Sequence, residues 1–166
     1  MQNKILSHVQ IQHKIRRIAY QIYETNVSEK KIIIAGIVGG GLNFAKKLQA
    51  VLEDITTAEI VLCKVMMDKK NPIESGVTMS IPESEYINKS VVLVDDVLKT
   101  GTTLIYGVHH LLRTPLKQLK TAVLVNRNHK KYPVKADFKG ISLSTSLQEH
   151  VQVEFKAKDY AVYLGE

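Results

Sequence analysis

The segment that decides the fold lies in the middle of the chain and reads Val91-Val92-Leu93-Val94-Asp95-Asp96-Val97-Leu98-Lys99-Thr100-Gly101-Thr102-Thr103. Its four leading apolar residues predict a buried strand, and a helical pattern begins at Leu104. Because doubly wound α/β folds bind ligands at the carboxyl edge of a parallel sheet, Asp95 and Asp96 are expected to emerge in a crevice. Two carboxylates there can accept hydrogen bonds from vicinal ribose hydroxyls or help to hold Mg²⁺.

The loop between this strand and the helix is suited to a phosphate group. Glycine permits close approach of the backbone, and the N–H groups of the loop can point at an anion that the helix dipole also favours. Threonine hydroxyls add donors. The alternative is a capped helix after a buried strand, since Asp and Thr are common in turns and caps. The candidate residues for the phosphate are Lys99, Thr100, Gly101, Thr102 and Thr103.

The acidic pair and the loop together resemble the signature with which type I phosphoribosyltransferases bind phosphoribosyl pyrophosphate (PRPP). The signature is an apolar run, two acids, two further residues and then x-Thr-Gly-x-Thr. The Gly-Lys-Ser/Thr ending of a P-loop is absent from this stretch. The resemblance implies a doubly wound α/β fold with a mainly parallel central sheet, flanking helices, a β-hairpin flap and a small C-terminal cap. It also implies transfer of a phosphoribosyl group to a nucleobase, with Mg²⁺ as cofactor and Asp95 and Asp96 as both catalytic and metal-binding residues.

A second glycine-rich turn follows the first predicted central strand, Ile32–Ile37, and precedes a helical pattern that includes Phe44. The dinucleotide fingerprint Gly-x-Gly-x-x-Gly fails here, because Phe44 stands in place of its third glycine. In type I phosphoribosyltransferases this turn lies against the pyrophosphate of PRPP. A tight turn that requires a positive φ is the alternative. The resemblance therefore gives as pyrophosphate-binding residues Val38, Gly39, Gly40 and Gly41.

Within the family, the chain is most similar to the uracil phosphoribosyltransferases that double as RNA-binding attenuators of pyrimidine operons. The stretch from Ala122 to Lys139 carries this similarity. In that family the loop after the strand Ala122–Val125 borders the nucleobase pocket. The resemblance therefore implies nucleobase binding by Asn126, Arg127 and Asn128.

The chain departs from that family at four places. Val38 and Gly40 stand where the family has a lysine and an arginine, Met66-Met67 stands where it has Tyr-Arg, and Asn126 stands where it has an aspartate. The glycine-rich turn can therefore offer only backbone donors to a pyrophosphate.

A long connection, Asp68 to Asn88, follows the predicted strand Ile60–Met67 and corresponds to the mobile flap of the type I family. Alternation within Gly76–Ile81 predicts a hairpin that pairs back on the preceding strand. Such a flap closes over PRPP and excludes water from the reaction. The flap lysines, Lys69 and Lys70, are candidates for the cation that the glycine-rich turn lacks. The alternative is that both are exposed loop lysines that contact only solvent.

The remaining segments complete the alternating pattern of an α/β domain. Isoleucines at helical spacing between Ile11 and Ile22 predict an amphipathic helix that opens the fold. His109 and His110 lie on the predicted helix after the signature, and adjacent helical residues do not share a face, so they are interpreted as surface or interface residues. Short strands, Val151–Phe155 and Ala161–Leu164, predict a small cap beside the crevice.

Composition limits the class of protein. The 166 residues are predicted to form one phosphoribosyltransferase domain, residues 1–166, with 45% hydrophobic content to fill a core. The single cysteine, Cys63, is expected to be buried, and with no signal peptide it predicts a reducing cytoplasm. No apolar run approaches the length of a membrane span. The net charge of +7 suits phosphate-rich ligands or RNA.

The expected partners are PRPP and a nucleobase, in a homo-oligomer that is a dimer or a tetramer. Uracil is the favoured base, and hypoxanthine or guanine is the alternative. A second hypothesis from a different class is an RNA-binding regulator of pyrimidine genes that responds to PRPP or nucleotides and has little catalysis. The charge of +7 and the basic segment Arg127–Lys135 motivate that hypothesis.

Overall fold

Strands and helices alternate along most of residues 2–166, which the computed structural model describes. In chain order the elements are β1 (Asn3–Leu6), α1 (His8–Glu24), β2 (Lys31–Ile37), α2 (Gly40–Ile55), β3 (Glu59–Met66), α3 (Pro72–Ser75), β4 (Thr78–Met79), α4 (Glu83–Tyr86), β5 (Ser90–Leu98), α5 (Thr102–Leu111), β6 (Gln118–Arg127), β7 (Phe138–Leu143), β8 (His150–Lys156) and β9 (Asp159–Gly165).

Six of the strands form the central sheet, in the order β4-β3-β2-β5-β6-β7. β2, β3, β5, β6 and β7 run parallel, and only the short β4 pairs antiparallel, with β3. Val65 pairs with Met79 and Met66 with Thr78, which is the predicted flap hairpin. The mainly parallel sheet confirms the predicted fold class.

Helices cover both faces of this sheet, because side chains of each strand point alternately to opposite faces. Ile32 and Ile34 pack in one apolar cluster with α1 and α2. Ile33 and Ala35 pack in the other cluster with Leu104 of α5 and with Cys63. Cys63 is buried as predicted, and burial raises the pKa of its thiol to about 12.

A small antiparallel sheet, in the order β1-β9-β8, packs on α1 and α2. The rings of Phe155 and Phe44 stack with centroids 6.2 Å apart, and the Tyr160 N–H donates to His8 Nδ1 over 3.0 Å. The predicted C-terminal strands are therefore present. The prediction that a helix opens the fold is wrong, because β1 precedes α1 and pairs with β9.

Several predicted boundaries also shift at the carboxyl edge of the sheet. Asp95 and Asp96 lie within β5 rather than after it, and Asn126 and Arg127 lie within β6. α2 begins at Gly40, so two of the three glycines form its first turn. None of the helices in the part of the chain described here is long and apolar enough to cross a membrane.

Candidate active site

The candidate site begins where β5 extends beyond its neighbour β2. The last pair between these strands is Gly36 with Val94, whereas pairing of β5 with β6 continues to Leu98 and Asn126. The last four residues of β5 therefore have a strand on one side only. Asp95 and Asp96 occupy the start of this free edge, next to the turn that follows β2.

The two carboxylates are held by the backbone of their own strand. Asp95 Oδ1 accepts the Asp96 N–H over 2.9 Å, and Asp96 Oδ1 accepts the Val97 N–H over 2.9 Å. Asp95 is only 5% exposed, and Asp96 is half-buried. Asp96 is therefore the more accessible of the two acids for a ligand.

Burial dominates the electrostatics of Asp95. Desolvation and the adjacent Asp96 charge raise the pKa of Asp95 from its ordinary value of 3.8 to about 8, while Lys69 acts in the opposite direction. Burial therefore favours the neutral form of Asp95 in the unliganded chain. A cation brought into the crevice would favour its ionised form.

A small cavity adjoins this pair and is formed by the loop between β5 and α5. Its volume is about 80 Å³, and Asp95 lines it together with every predicted phosphate residue, Lys99, Thr100, Gly101, Thr102 and Thr103. Gly101 has a φ of 84°, which favours glycine. The Thr102 N–H donates to Thr100 Oγ1 over 3.3 Å, and the two threonine hydroxyls lie 2.9 Å apart. Since α5 begins at Thr102, the helix dipole points its positive end at this cavity.

The glycine-rich turn after β2 packs directly on the acidic pair. A β-carbon added at Gly40 would overlap the Asp96 carboxylate, and one added at Gly41 would lie 2.8 Å from the Val94 carbonyl oxygen. Gly39 has a φ of 107°, so the turn does require a positive φ. The Val38 N–H is bonded to the Val65 carbonyl over 2.9 Å and is not free for a ligand. The positive φ accounts for glycine at position 39, and close packing on the strand that carries the acids accounts for glycine at positions 40 and 41.

One of the two flap lysines, Lys69, lies next to both the acidic pair and the glycine-rich turn. Lys69 Nζ lies 3.9 Å from Asp95 Oδ1 and 3.6 Å from the position of a β-carbon on Gly39. It thereby brings a positive charge to the turn, where Val38 and Gly40 provide none. Lys70 is exposed, and only its backbone N–H is held, by Asp68 Oδ1.

The predicted nucleobase residues lie at the end of β6, which pairs with β5 on the side opposite to β2. Asn126 Nδ2 donates to Ser142 Oγ over 3.2 Å. Asn126 Oδ1 is buried and has no hydrogen-bond partner among residues 2–166. Of the three predicted residues, Asn126 therefore retains an unused acceptor.

Arg127 and Asn128 have their polar groups engaged by another segment. Arg127 Nε and Nη2 donate to Thr145 Oγ1 over 2.9 and 2.7 Å, and Asn128 Oδ1 accepts the Thr145 N–H over 3.1 Å. His129 Nε2 contacts the Thr145 carbonyl oxygen over 2.5 Å. Three successive residues thus hold all the polar groups of Thr145. We name this arrangement the Thr145 clamp.

The clamp gives Arg127 a structural role. The side chain is 2% exposed and also donates to the carbonyls of Ser146 and Glu149 over 3.2 and 2.8 Å. Its guanidinium organises residues 144–149, which lead into β8. Sequence reasoning missed Thr145, and the only local signal was the polar run Ser144-Thr145-Ser146 between two strands.

The acidic pair meets the requirements of a magnesium site that is completed by substrate. Mg²⁺ in phosphate sites is held by one or two carboxylates together with phosphate oxygens and water. Within residues 2–166 no group of three or more His, Cys, Asp or Glu side chains forms a metal cage. Asp95 and Asp96 therefore fit a cation that arrives with a phosphorylated ligand.

Comparison with known proteins agrees with this geometry. Residues 1–158 match the family model described as "Phosphoribosyl transferase domain". The "Bifunctional protein PyrR" of Streptococcus pneumoniae is 29% identical over 160 residues, which are 94% of this chain and 91% of that protein.

Solved structures share the fold at lower identity. A hypoxanthine-guanine phosphoribosyltransferase from Bacillus anthracis has a TM-score of 0.72 at 20% identity and covers 85% of this chain and 82% of its own. The hypoxanthine phosphoribosyltransferase of Trypanosoma cruzi has a TM-score of 0.75 at 18% identity, with 96% and 95% coverage. With the family model matching nearly the whole chain, this protein belongs to the phosphoribosyl transferase domain family.

Proposed function

We propose that the chain transfers the 5-phosphoribosyl group of PRPP to a ring nitrogen of a nucleobase and releases pyrophosphate. One observation carries this proposal: Asp95 lines the phosphate cavity, and the glycine-rich turn packs against the same acidic pair. The 5-phosphate, the ribose diol and the pyrophosphate thus have adjacent places along one sheet edge. The family match supports the class of reaction, and the geometry of the site supports the roles proposed below.

The loop of α5 anchors the substrate away from the reacting carbon. Backbone N–H groups at the start of the helix and the hydroxyls of Thr100 and Thr102 donate to the 5-phosphate. This remote binding fixes the anomeric carbon relative to the base, which lowers the entropic part of the barrier.

The acidic pair acts on the ribose. Asp96, the more exposed acid, accepts hydrogen bonds from the ribose hydroxyls, and Asp95 supplies negative charge beneath them. Positive charge that develops at the anomeric carbon as the leaving group departs is stabilised by both carboxylates. When bound, Mg²⁺ neutralises charge on the departing pyrophosphate, and Asp95 and Asp96 are the residues that would hold it.

The pyrophosphate lies against the glycine-rich turn in this proposal. The N–H groups of Gly39, Gly40 and Gly41 face the ligand at the start of α2. Lys69 leaves Asp95 and pairs with the pyrophosphate when the substrate arrives, so the flap provides the cation that the turn lacks.

The base is proposed to lie at the end of β6, with uracil favoured. The similarity of residues 122–139 to the uracil-specific family supports uracil, and the unused Asn126 Oδ1 would accept an N–H from the base. Hypoxanthine or guanine is the alternative, since the purine enzymes share the fold. Asn128 and Arg127 act there through the Thr145 clamp rather than by contact with the base.

A second candidate function is binding of structured RNA as a regulator. A groove of about 290 Å³ between α1, α2 and β9 is lined by Arg16, Lys47 and Tyr160, among others. Lys47 Nζ lies 5.1 Å from the centre of the Tyr160 ring. Tyr160 is half-buried, and cations beside an aromatic ring suit phosphate and base contacts. Retention on structured RNA that falls steeply with rising salt would support this function, and no retention at low salt would refute it.

We further propose that residues 1–166 act as one domain, in a homo-oligomer in the cytoplasm. The single buried thiol of Cys63 is compatible with a reducing compartment. Sedimentation velocity would establish the number of subunits.

Formation of a nucleotide tests the proposed function. PRPP, Mg²⁺ and each of uracil, hypoxanthine, guanine, xanthine and orotate are incubated with the protein, and products are separated by chromatography. We expect a nucleoside monophosphate with one base, uracil first. No nucleotide from any of the five bases would refute the transfer.

A further inference from the structure

Helix α5 carries a polar stripe that the proposed transfer does not use. Tyr106, His109 and His110 lie on α5, and Arg113 lies two residues beyond its end at Leu111. They form one wall of a cleft of about 250 Å³ whose other wall is the flap around α3. The stripe residues are Tyr106, His109, His110 and Arg113, and the flap residues are Pro72, Ile73, Gly76 and Val77.

The wall formed by α5 and Arg113 carries one guanidinium and two imidazoles, and no acidic side chain faces them across the cleft. None of the residues that line the cleft is acidic. Within residues 2–166, His109, His110 and Arg113 make no ion pair and no side-chain hydrogen bond. Burial, followed by the charges of Arg113 and His109, lowers the pKa of His110. An anion in the cleft would relieve this repulsion.

The wall on the flap is apolar and includes one highly exposed side chain. Ile73 is 74% exposed, and Val77 lies beside it on the same wall. An inorganic anion alone would leave this surface in water. The two walls together therefore suit a ligand with an anionic group at one end and an apolar group at the other.

We propose that this cleft binds a phosphate monoester with an apolar or aromatic organic group. The phosphate contacts His109, His110 and Arg113, and the organic group packs on Ile73 and Val77. A dianionic phosphate matches three neighbouring donors better than a single carboxylate does. The cleft is separate from the phosphate cavity, because the two share no lining residue.

The position of the cleft couples it to the transfer site. α5 begins at Thr102 in the phosphate loop, and α3 begins three residues after Lys69. A ligand that joins α3 to α5 therefore restrains the flap lysine relative to the phosphate loop. This consequence rests on the proposed function, and it predicts a changed KM for PRPP in the presence of the ester.

The binding itself is tested without PRPP or a base, so its result is independent of catalysis. Phenyl phosphate is titrated into the protein, and the ring signals of the histidines are followed by NMR at constant pH. His109→Gln and His110→Gln assign the two signals. We expect saturable shifts of both signals, and Arg113→Gln should weaken binding roughly tenfold, as expected for loss of one charged hydrogen bond. Lys139→Gln removes one positive charge at an exposed position of β7 and should change nothing.

A separate substitution tests the contribution of the apolar wall to binding. Ile73→Ser should weaken the binding of phenyl phosphate while leaving that of inorganic phosphate unaltered. The proposal is overturned if phenyl phosphate moves only the amide signals of Gly101 and Thr102. It is also overturned if the histidine shifts do not saturate, or if Arg113→Gln binds as tightly as the unmodified chain.

Discussion

Gly40 and Asp96 lie in direct contact, and a side chain at position 40 would occupy the place of the Asp96 carboxylate. The glycine-rich turn and the acidic pair are therefore one structural unit, although Gly40 and Asp96 are 56 positions apart in the sequence. Because Val38 and Gly40 bring no cation to this unit, the positive charge near the acidic pair is that of Lys69 on the flap.

Gly40→Ala should lower the rate of transfer by about 100-fold while the chain stays folded. The methyl group forces Asp96 or the first turn of α2 to move, and a displacement of about 1 Å in a positioning group can cost about 100-fold in rate. Turnover with PRPP and the accepted base, together with circular dichroism, measures both effects. Lys46→Ala, on an exposed position of the same helix, should leave turnover unchanged. A Gly40→Ala protein with full turnover would show that the contact has no catalytic role.

Lys69→Gln should raise the KM for PRPP by roughly tenfold, the effect of one lost charged hydrogen bond, with a smaller change in affinity for the base. The reason is that Lys69 is the flap cation near Gly39 and Asp95. Lys70→Gln is the matched control, because the neighbouring lysine makes no contact with the acidic pair. Equal effects of the two variants would indicate a general loss of charge rather than a specific ion pair.

Asp95→Asn should stabilise the unliganded protein in a pH-dependent way. The folded chain holds a proton on Asp95 up to about pH 8, whereas the unfolded chain releases it near pH 3.8. Stability from this group is therefore greatest below pH 3.8, falls as the pH rises from 3.8 to about 8, and is constant above that. Asparagine does not ionise, so the variant does not lose this stability. The difference in free energy of unfolding between Asp95→Asn and the unmodified chain should therefore grow as the pH rises from 3.8 to about 8.

Urea unfolding of both proteins at several pH values measures this difference. By about pH 8 we expect the variant to be more stable by at least ~1 kcal/mol, since one unit of pKa shift corresponds to about 1.4 kcal/mol. Asp54→Asn, at an exposed position on α2, should show a difference that changes little with pH. An Asp95→Asn advantage that shrinks with rising pH would contradict the assignment.

Arg127→Met should destabilise the chain by about 2–4 kcal/mol, because it leaves the Thr145 clamp without its central donor. The carbonyls of Ser146 and Glu149 lose their partner at the same time. Urea unfolding gives the free energy, and amide exchange at Thr145 reports the local opening. Lys130→Met, in the exposed loop that follows, should change stability by less than about 0.5 kcal/mol. If the Arg127→Met chain is as stable as the unmodified chain but no longer binds the base, the result would contradict the structural role and indicate that Arg127 contacts the base directly.

The sequence alone was sufficient for the elements with local signals. The apolar run before Asp95 and the Gly-Thr loop after it predict a strand, a turn and a helix start from neighbouring residues. The sequence offers two flap lysines, Lys69 and Lys70, as the source of the cation. Only the fold shows that Lys69 is the one that approaches Asp95.

Other features depend on contacts between distant residues and leave no local pattern. The Thr145 clamp joins residues 16 to 18 positions apart through side-chain geometry. β1 has four residues, too few to show alternation, and its partner β9 lies at the other end of the chain. The extension of β5 past β2, which exposes the acidic pair, follows from the register of two strands and not from either sequence by itself.

The most direct test of the central claim is release of pyrophosphate from PRPP and Mg²⁺ by the unmodified chain and by Asp96→Asn, each with uracil, hypoxanthine or guanine. We predict release that requires one base and is reduced at least 100-fold in the variant, in line with loss of an electrostatic stabiliser of the transition state. Near-ultraviolet circular dichroism confirms that the variant is folded. Release that is equal in the two proteins, or absent from the unmodified chain with every base, would contradict the assignment of this site to phosphoribosyl transfer.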